Sequence, residues 1–305
     1  MCTPVGTVRS SLSLFRVGPV VEWAVAHYGG RMPTLPPERR RGSADRAHRD
    51  RRTAESFGVD AERYDRARPG YPDALVRRIV AAAPGPDLLD VGSGTGIAAR
   101  QFQAAGCRVL GVEPDARMAD FARRAGVEVE TATFEDWDPA GRRFDAVVAG
   151  TAWHWVDPQA GPVKAARVLR PGGLLALFWH VLRLPPGLAE AFTEVYRRAV
   201  PDAPFDVAAV GGGGSGAHRA LLDGPAEGVR AAGGFGEAER LRFDWKRSRT
   251  REEWLEQLAT SGALTRLPRE RAARVLEEVG AVGDTAGGVL DAECATVALI
   301  AVRSG

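Results

Sequence analysis

Three glycines at alternate positions, Gly92, Gly94 and Gly96, constrain this chain more than any other feature. A short apolar run, Asp87-Leu88-Leu89-Asp90-Val91, leads into them, and Ile97-Ala98-Ala99-Arg100-Gln101-Phe102 follows as the start of a helix. Strand, glycine turn and helix in that order make a nucleotide-type site. Glycine admits positive φ and lets a ligand approach without a Cβ in the way, and the helix start offers unpaired N–H groups. Asp90, Gly92, Ser93, Gly94 and Gly96 are therefore candidate ligand-binding residues. The spacing is informative in its own right. A dinucleotide fingerprint needs G-x-G-x-x-G, which would place the third glycine at 97, where Ile97 stands. No Lys-Ser or Lys-Thr follows, so the loop is not a P-loop either.

Downstream, the pattern alternates. A helix is expected from Asp73 to Ala83, then strand Asp87–Val91, helix Gly96–Ala105, strand Arg108–Val112, helix Ala116–Ala125 and strand Val127–Thr131. Strand Phe144–Ala149, helix Gln159–Leu169 and strand Leu174–Trp179 continue the series. Strands alternating with helices predict a parallel sheet with right-handed crossovers. After His180 the signal weakens: a helix at Gly187–Val200, a glycine-rich loop from Val210 to Gly216, a strand at Arg240–Trp245 and helices at Arg251–Thr260 and Arg269–Val279. The last strand, Ala295–Val302, is a near-continuous apolar run suited to a sheet interior.

Glu113 stands at the tip of the second strand, 17 positions after Gly96. A carboxylate there can accept both hydroxyls of a ribose; the plainer alternative is an acid favoured at a helix start. A free acid at this position fits S-adenosylmethionine or NAD, and only the glycine spacing separates them. Strand four ends in Ala149-Gly150-Thr151-Ala152-Trp153-His154-Trp155-Val156-Asp157-Pro158, beside the switch in strand order where open sheets bind ligands. Two tryptophans bracketing a histidine can line a substrate pocket, and His154 is the candidate general base. The plainer alternative is that His154 orders the loop while Trp155 packs in the core.

The succession Tyr64-Asp65-Arg66-Ala67-Arg68-Pro69-Gly70-Tyr71-Pro72, Asp90–Gly96, Gly111–Glu113, Phe134–Trp137, Trp153–Pro158 and Val168–Gly173 resembles the class I S-adenosylmethionine-dependent methyltransferases. It is most similar to the small-molecule group that includes trans-aconitate and ubiquinone/menaquinone methyltransferases. The resemblance implies an α/β, Rossmann-like, seven-stranded, mostly parallel sheet with helices on both faces and the last strand inserted antiparallel. It implies S-adenosyl-L-methionine as cofactor and a small-molecule methyl acceptor. It also implies that Tyr64 and Arg68 approach the methionine end of the cofactor from an N-terminal lid, and that Phe134 and Glu135 meet the adenine, the acid taking the exocyclic amine and a backbone N–H a ring nitrogen. Pro114, Met118, Thr151 and Trp153 complete the implied cofactor site. Two departures, His180 where Asn is commoner and the glycine run at 211–214, lie on the substrate side. The rival readings are a non-catalytic binding module on the same fold and an NAD-dependent oxidoreductase, against which Ile97 argues.

Composition narrows the partners. Net charge is +2 over 305 residues, so nothing global points to nucleic acid or membrane. Cys2, Cys107 and Cys294 are widely separated, with no C-x-x-C, which argues against a disulfide framework or zinc site and for a cytoplasmic protein. Residues 1–56 are expected to be a poorly ordered leader and arginine-rich tail, with seven arginines between Glu38 and Arg52, and 57–305 the methyltransferase domain. The apolar stretch Leu12–Tyr28 is broken by Arg16 and Glu22 and is too short and charged for a membrane span. Met32 begins a more ordinary start, and residues 1–31 are expected to add nothing to the core.

Overall fold

The computed structural model describes residues 56–183, 186–199, 216–265, 267–285 and 289–305. The expected leader and arginine-rich tail, and the glycine run at 211–214, lie outside the described residues. After a 3₁₀ turn at Phe57–Asp60 come α1 (Ala61–Ala67) and α2 (Asp73–Ala82). The core then alternates β1 (Asp87–Val91), α3 (Ile97–Ala104), β2 (Arg108–Val112), α4 (Ala116–Arg124), β3 (Glu128–Glu130), β4 (Phe144–Gly150), α5 (Ala160–Val168) and β5 (Leu169–Arg183). The remainder is α6 (Pro186–Ala199), α7 (Gly216–Ala232), β6 (Glu239–Thr250), α8 (Arg251–Ala259), α9 (Gly262–Thr265), α10 (Arg269–Thr285) and β7 (Val289–Val302).

The sheet has seven strands in the order β3-β2-β1-β4-β5-β7-β6. The first five run parallel, and β7 lies antiparallel between β5 and β6. The chain reverses direction across the sheet between β1 and β4, which opens the crevice where such sheets bind ligands. Adjacent residues of a strand serve opposite faces. Leu89 and Val147 join α5 and α7 on one face, while Leu88 and Ala146 join Leu75 and Ile79 of α2 and Phe102 of α3 on the other. A third cluster, from Phe192 and Tyr196 of α6, Trp254 and Leu258 of α8 and Val275 of α10, forms a helical cap.

Two expectations change. The Arg170-Pro171-Gly172-Gly173 stop is a bulge inside β5: Phe144 pairs with Leu169 but Ala146 pairs with Leu174. β6 and β7 run on as a two-stranded ribbon, Thr250 pairing with Val289, beyond the ends predicted from their apolar runs. The ribbon's polar residues hide it from an apolar pattern; across it Ser248 Oγ donates to Asp291 at 2.5 Å. Helix α7 fills a stretch with no element expected from the sequence, and it contains the poor helix formers Gly224, Pro225 and Gly228. Burial of Leu222, Ala226 and Val229 overrides that propensity, and Gly228 is required where a Cβ would stand 2.7 Å from the Pro158 carbonyl. Among the described residues no helix is long and apolar enough to cross a membrane.

Candidate active site

The glycine loop turns on three left-handed residues, Gly92 (φ +66°), Gly94 (φ +55°) and Gly96 (φ +86°). Gly96 caps α3, with Ile97 its first helical residue. The Gly92 amide donates to the Val112 carbonyl at 2.8 Å, binding the loop to β2. A Cβ on Gly92 would come within 2.5 Å of Ala152 Cβ, so this position also sets the approach of the strand-four loop. At Gly94 a Cβ would meet nothing within 4 Å, and the backbone there faces open space.

Glu113 closes the tip of β2. Its Oε2 accepts the Gly94 N–H at 2.8 Å and its Oε1 the Asp115 N–H at 2.9 Å. Burial raises its carboxyl to about 7, against the pull of those two amides. Asp90, at the end of β1, is 1% exposed. Burial first and the neighbouring Glu113 charge second push it up to about 8. Three buried oxygens of this loop lack any partner: Asp90 Oδ2, Ser93 Oγ and Thr95 Oγ1. Buried polar groups left unpaired are rare, and three of them fall in this one glycine turn. Met118 is buried in α4 and Pro114 is exposed beside Glu113.

The loop after β3 uses its side chains otherwise. Phe134 is 3% exposed, in the core, its ring 6.0 Å from Trp153 and 6.4 Å from Trp137. Glu135 Oε1 accepts the Asp157 amide at 2.6 Å, and Lys164 donates to the Glu135 carbonyl at 2.8 Å and to that of Trp137. The expected amine contact of Glu135 thus competes with a tether to the strand-four loop.

In that loop Thr151 takes a left-handed φ of +56°. Its amide donates to the Phe178 carbonyl at 2.7 Å and its hydroxyl lies 3.2 Å from the Tyr71 hydroxyl. Residues Trp153–Trp155 form a 3₁₀ turn, in which alternate residues point different ways. Trp153, not Trp155, is the core tryptophan, 3% exposed, while Trp155 stands edge-on to Phe57 at 6.3 Å. His154 Nδ1 accepts the Trp179 indole N–H at 3.4 Å. An indole can only donate, so this bond places the imidazole proton on Nε2.

Arg68 lies 4.8 Å over the Tyr64 ring. It donates to Thr260 Oγ1 at 3.2 Å and to the Thr260 carbonyl at 2.7 Å, so this guanidinium joins α1 to the end of α8. The residue that reaches in from this segment is Tyr71. Gln101 of α3 clamps its backbone from both sides, accepting the Tyr71 amide at 2.7 Å and donating to its carbonyl at 2.8 Å. The Tyr71 ring stacks on His180 at 4.4 Å and 14°, and burial holds its hydroxyl well above the usual phenol range. Trp245 Nε1 donates to Thr296 Oγ1 at 3.0 Å, and that hydroxyl lies 3.0 Å from His180 Nδ1. Thr296 Oγ1 thus joins the Trp245 indole to His180 Nδ1. Burial takes His180 down to about 3, so it is neutral near pH 7. The motif around Tyr71 was visible in the sequence; its partnership with His180 depends on β5 and β7.

The glycine turn after β1 and the acid at the tip of β2 both lie within the stretch that resembles known methyltransferase domains. Residues 89–177 match a family model described as a methyltransferase domain. The chain is 38% identical over 127 residues to an uncharacterized methyltransferase of Mycobacterium bovis, covering 41% of this chain and 52% of that protein. It is 30% identical over 126 residues to a demethylmenaquinone methyltransferase of Corynebacterium urealyticum, covering 41% of this chain and 55% of that protein. In structure it is similar to a candidate type II methyltransferase from Anaeromyxobacter dehalogenans, with a TM-score of 0.55 and 25% identity over 77% of this chain and 97% of that one. The chain spans about half the length of these curated relatives.

Proposed function

We propose that the chain is an S-adenosylmethionine-dependent methyltransferase that transfers a methyl group to a small-molecule acceptor by in-line displacement. One observation carries this reading: the three unpartnered buried oxygens of Asp90, Ser93 and Thr95 surround a glycine turn that Glu113 holds open at Gly94. When bound, S-adenosylmethionine supplies a methyl group already activated by a sulfonium. The Glu113 carboxylate would hold the ribose hydroxyls, since each carboxylate oxygen retains acceptor capacity beyond its one amide. Asp90 would face the cationic end, and a cation there would draw its proton away. Thr151 and the strand-four loop would position the acceptor. Orientation and exclusion of water are what the protein must add, and His154 is the one candidate base in this loop. Gly96 followed by Ile97 speaks against the dinucleotide alternative, and the intact acid, glycines and aromatic loop against the non-catalytic binding module. A cytoplasmic location belongs to the same reading and is supported by Cys107 and Cys294, both buried free thiols.

Titration calorimetry with S-adenosylmethionine and, separately, NAD tests this. Binding of the first and not the second is expected, followed by label transfer to a member of a metabolite panel. Tighter binding of NAD, or binding with no transfer to any acceptor class, would replace this reading with one of its rivals.

A further inference from the structure

The inward face of β6 changes character along the strand. Leu241, Phe243 and Trp245 give way to Arg247 and Arg249, all on the less exposed side of the alternation. Their cross-strand partners on β7 are Ala292 and Leu290, which offer no charge, while the acids Asp291 and Glu293 pair in register with the outward Ser248 and Lys246. Arg249 is 6% exposed and donates to neutral acceptors only: the Ala67 carbonyl at 3.0 Å and the Gln257 side chain. Arg247 is half-buried and has no hydrogen-bond or ion-pair partner among the described residues. Glu253 is the carboxylate whose charge reaches both arginines. It is committed to the capping box of α8, where it accepts the Thr250 amide at 3.0 Å.

Both arginines line one cavity with Trp245, Trp254, Leu182 and His180. His180 Nε2 is buried beside the Pro69 backbone without a well-aligned partner. Through the stacked Tyr71 ring this cavity adjoins Thr151 at the end of β4, on the same side of the sheet as the glycine loop. Buried cations without counterions are costly, and burial indeed lowers Arg249 to about 10. A bound anion would offset that cost.

We propose, on the basis of the methyl-transfer reading above, that this cavity is the acceptor subsite and takes a small molecule carrying a carboxylate on an apolar body, with Arg247 binding the carboxylate. The planar guanidinium fork matches a carboxylate in two parallel hydrogen bonds. The apolar body lies against Trp245, Trp254 and Leu182. His180 Nε2 meets a second polar group of the acceptor.

The test uses the full chain saturated with S-adenosylhomocysteine, which binds without turnover. Tryptophan fluorescence reports titration with hexanoate, benzoate and 3-phenylpropanoate, each against its neutral amide, and with phenyl phosphate. At least one carboxylate is expected to bind ~10-fold or more tightly than its amide, as a charge-assisted pair should, with Arg247→Gln abolishing the preference. No carboxylate exceeding its amide overturns the proposal, as does phenyl phosphate binding more tightly than every carboxylate, or a preference retained in a folded Arg247→Gln. If Arg247→Gln does not fold, Arg247→Lys decides: a several-fold loss of preference supports the fork, and an unchanged preference overturns it. Calorimetry with S-adenosylmethionine on the same protein separates the two levels. Loss of that binding fails the methyl-transfer reading, whereas intact binding without carboxylate preference fails this proposal alone.

Discussion

Glu113 Oε2 accepts the amide of Gly94 at 2.8 Å, so the acid that would anchor a ribose also fixes the shape of the turn that would cradle the rest of the ligand. Glu113→Ala should therefore lower S-adenosylmethionine affinity by ~10-fold or more, since hydrogen bonds to charged groups contribute roughly 1.5–3 kcal/mol. Gly94→Val should do the same by another route, because φ of +55° is closed to a β-branched residue. Calorimetry on both variants checks the assignment, and unchanged affinity in both would sink it.

Asp90 makes stability depend on pH in an unusual direction. Its carboxyl is raised to about 8 from an ordinary 3.8. The folded state then binds more protons than the unfolded state between those values, so its contribution is full below about pH 4, declines as pH rises and is gone above about pH 8. Asp90→Asn should remove that slope: its melting temperature should exceed that of the native protein at pH 8 and the two should converge near pH 4. The same variant should bind S-adenosylmethionine more weakly. Parallel melting curves across this pH range would refute the account.

His154 offers Nδ1 to an indole N–H, which leaves its proton on Nε2 and its basic nitrogen occupied. His154→Asn should accordingly slow methyl transfer only a few-fold at saturating cofactor, once an acceptor is in hand. A loss of ~10²-fold, the usual scale for general-base removal, with cofactor affinity intact would show that His154 releases Trp179 and takes a proton.

Tyr71 should separate packing from polarity. Tyr71→Phe removes only the contact to Thr151 and should leave the melting temperature within a degree or two. Tyr71→Ala empties the space between His180 and Phe178, whose ring centroids lie 4.4 and 4.6 Å from the tyrosine. Aromatic-to-alanine truncations cost about 3–5 kcal/mol when fully buried, and a partly covered ring should lose several degrees. Equal melting temperatures for the two variants would contradict the stacking role.

The parallel half of the sheet was legible because β1, β2 and β4 are buried on both faces and read as apolar runs, with β3 at the edge placed by the alternation. Glycine spacing, the acid at 113 and the strand-four loop follow from that register and could be placed by counting. Side-chain commitments could not. Phe134 and Trp153 look like ligand-facing aromatics in sequence, and the core claims both. Arg68, expected at the methionine end of the cofactor, joins α1 to the end of α8, a tie no spacing reveals. Arg247 and Arg249 carried a visible signal, charges on the inward phase of an alternating strand, but only if β6 is known to extend past Trp245.

The placement of β7 between β5 and β6 has a consequence for biosynthesis. Residues 289–302 supply the partner for both neighbours, so β6 has no place in the sheet, and β5 no partner on its outer edge, until this segment has left the ribosome. The glycine turn and Glu113 can form long before, from neighbouring segments. Pairings across such sequence separations are slow, and domains under synthesis expose unpaired edges meanwhile. Nascent chains should thus acquire the cradle early and the arginine-lined cavity last, with the edge of β5 open to mispairing in the interval.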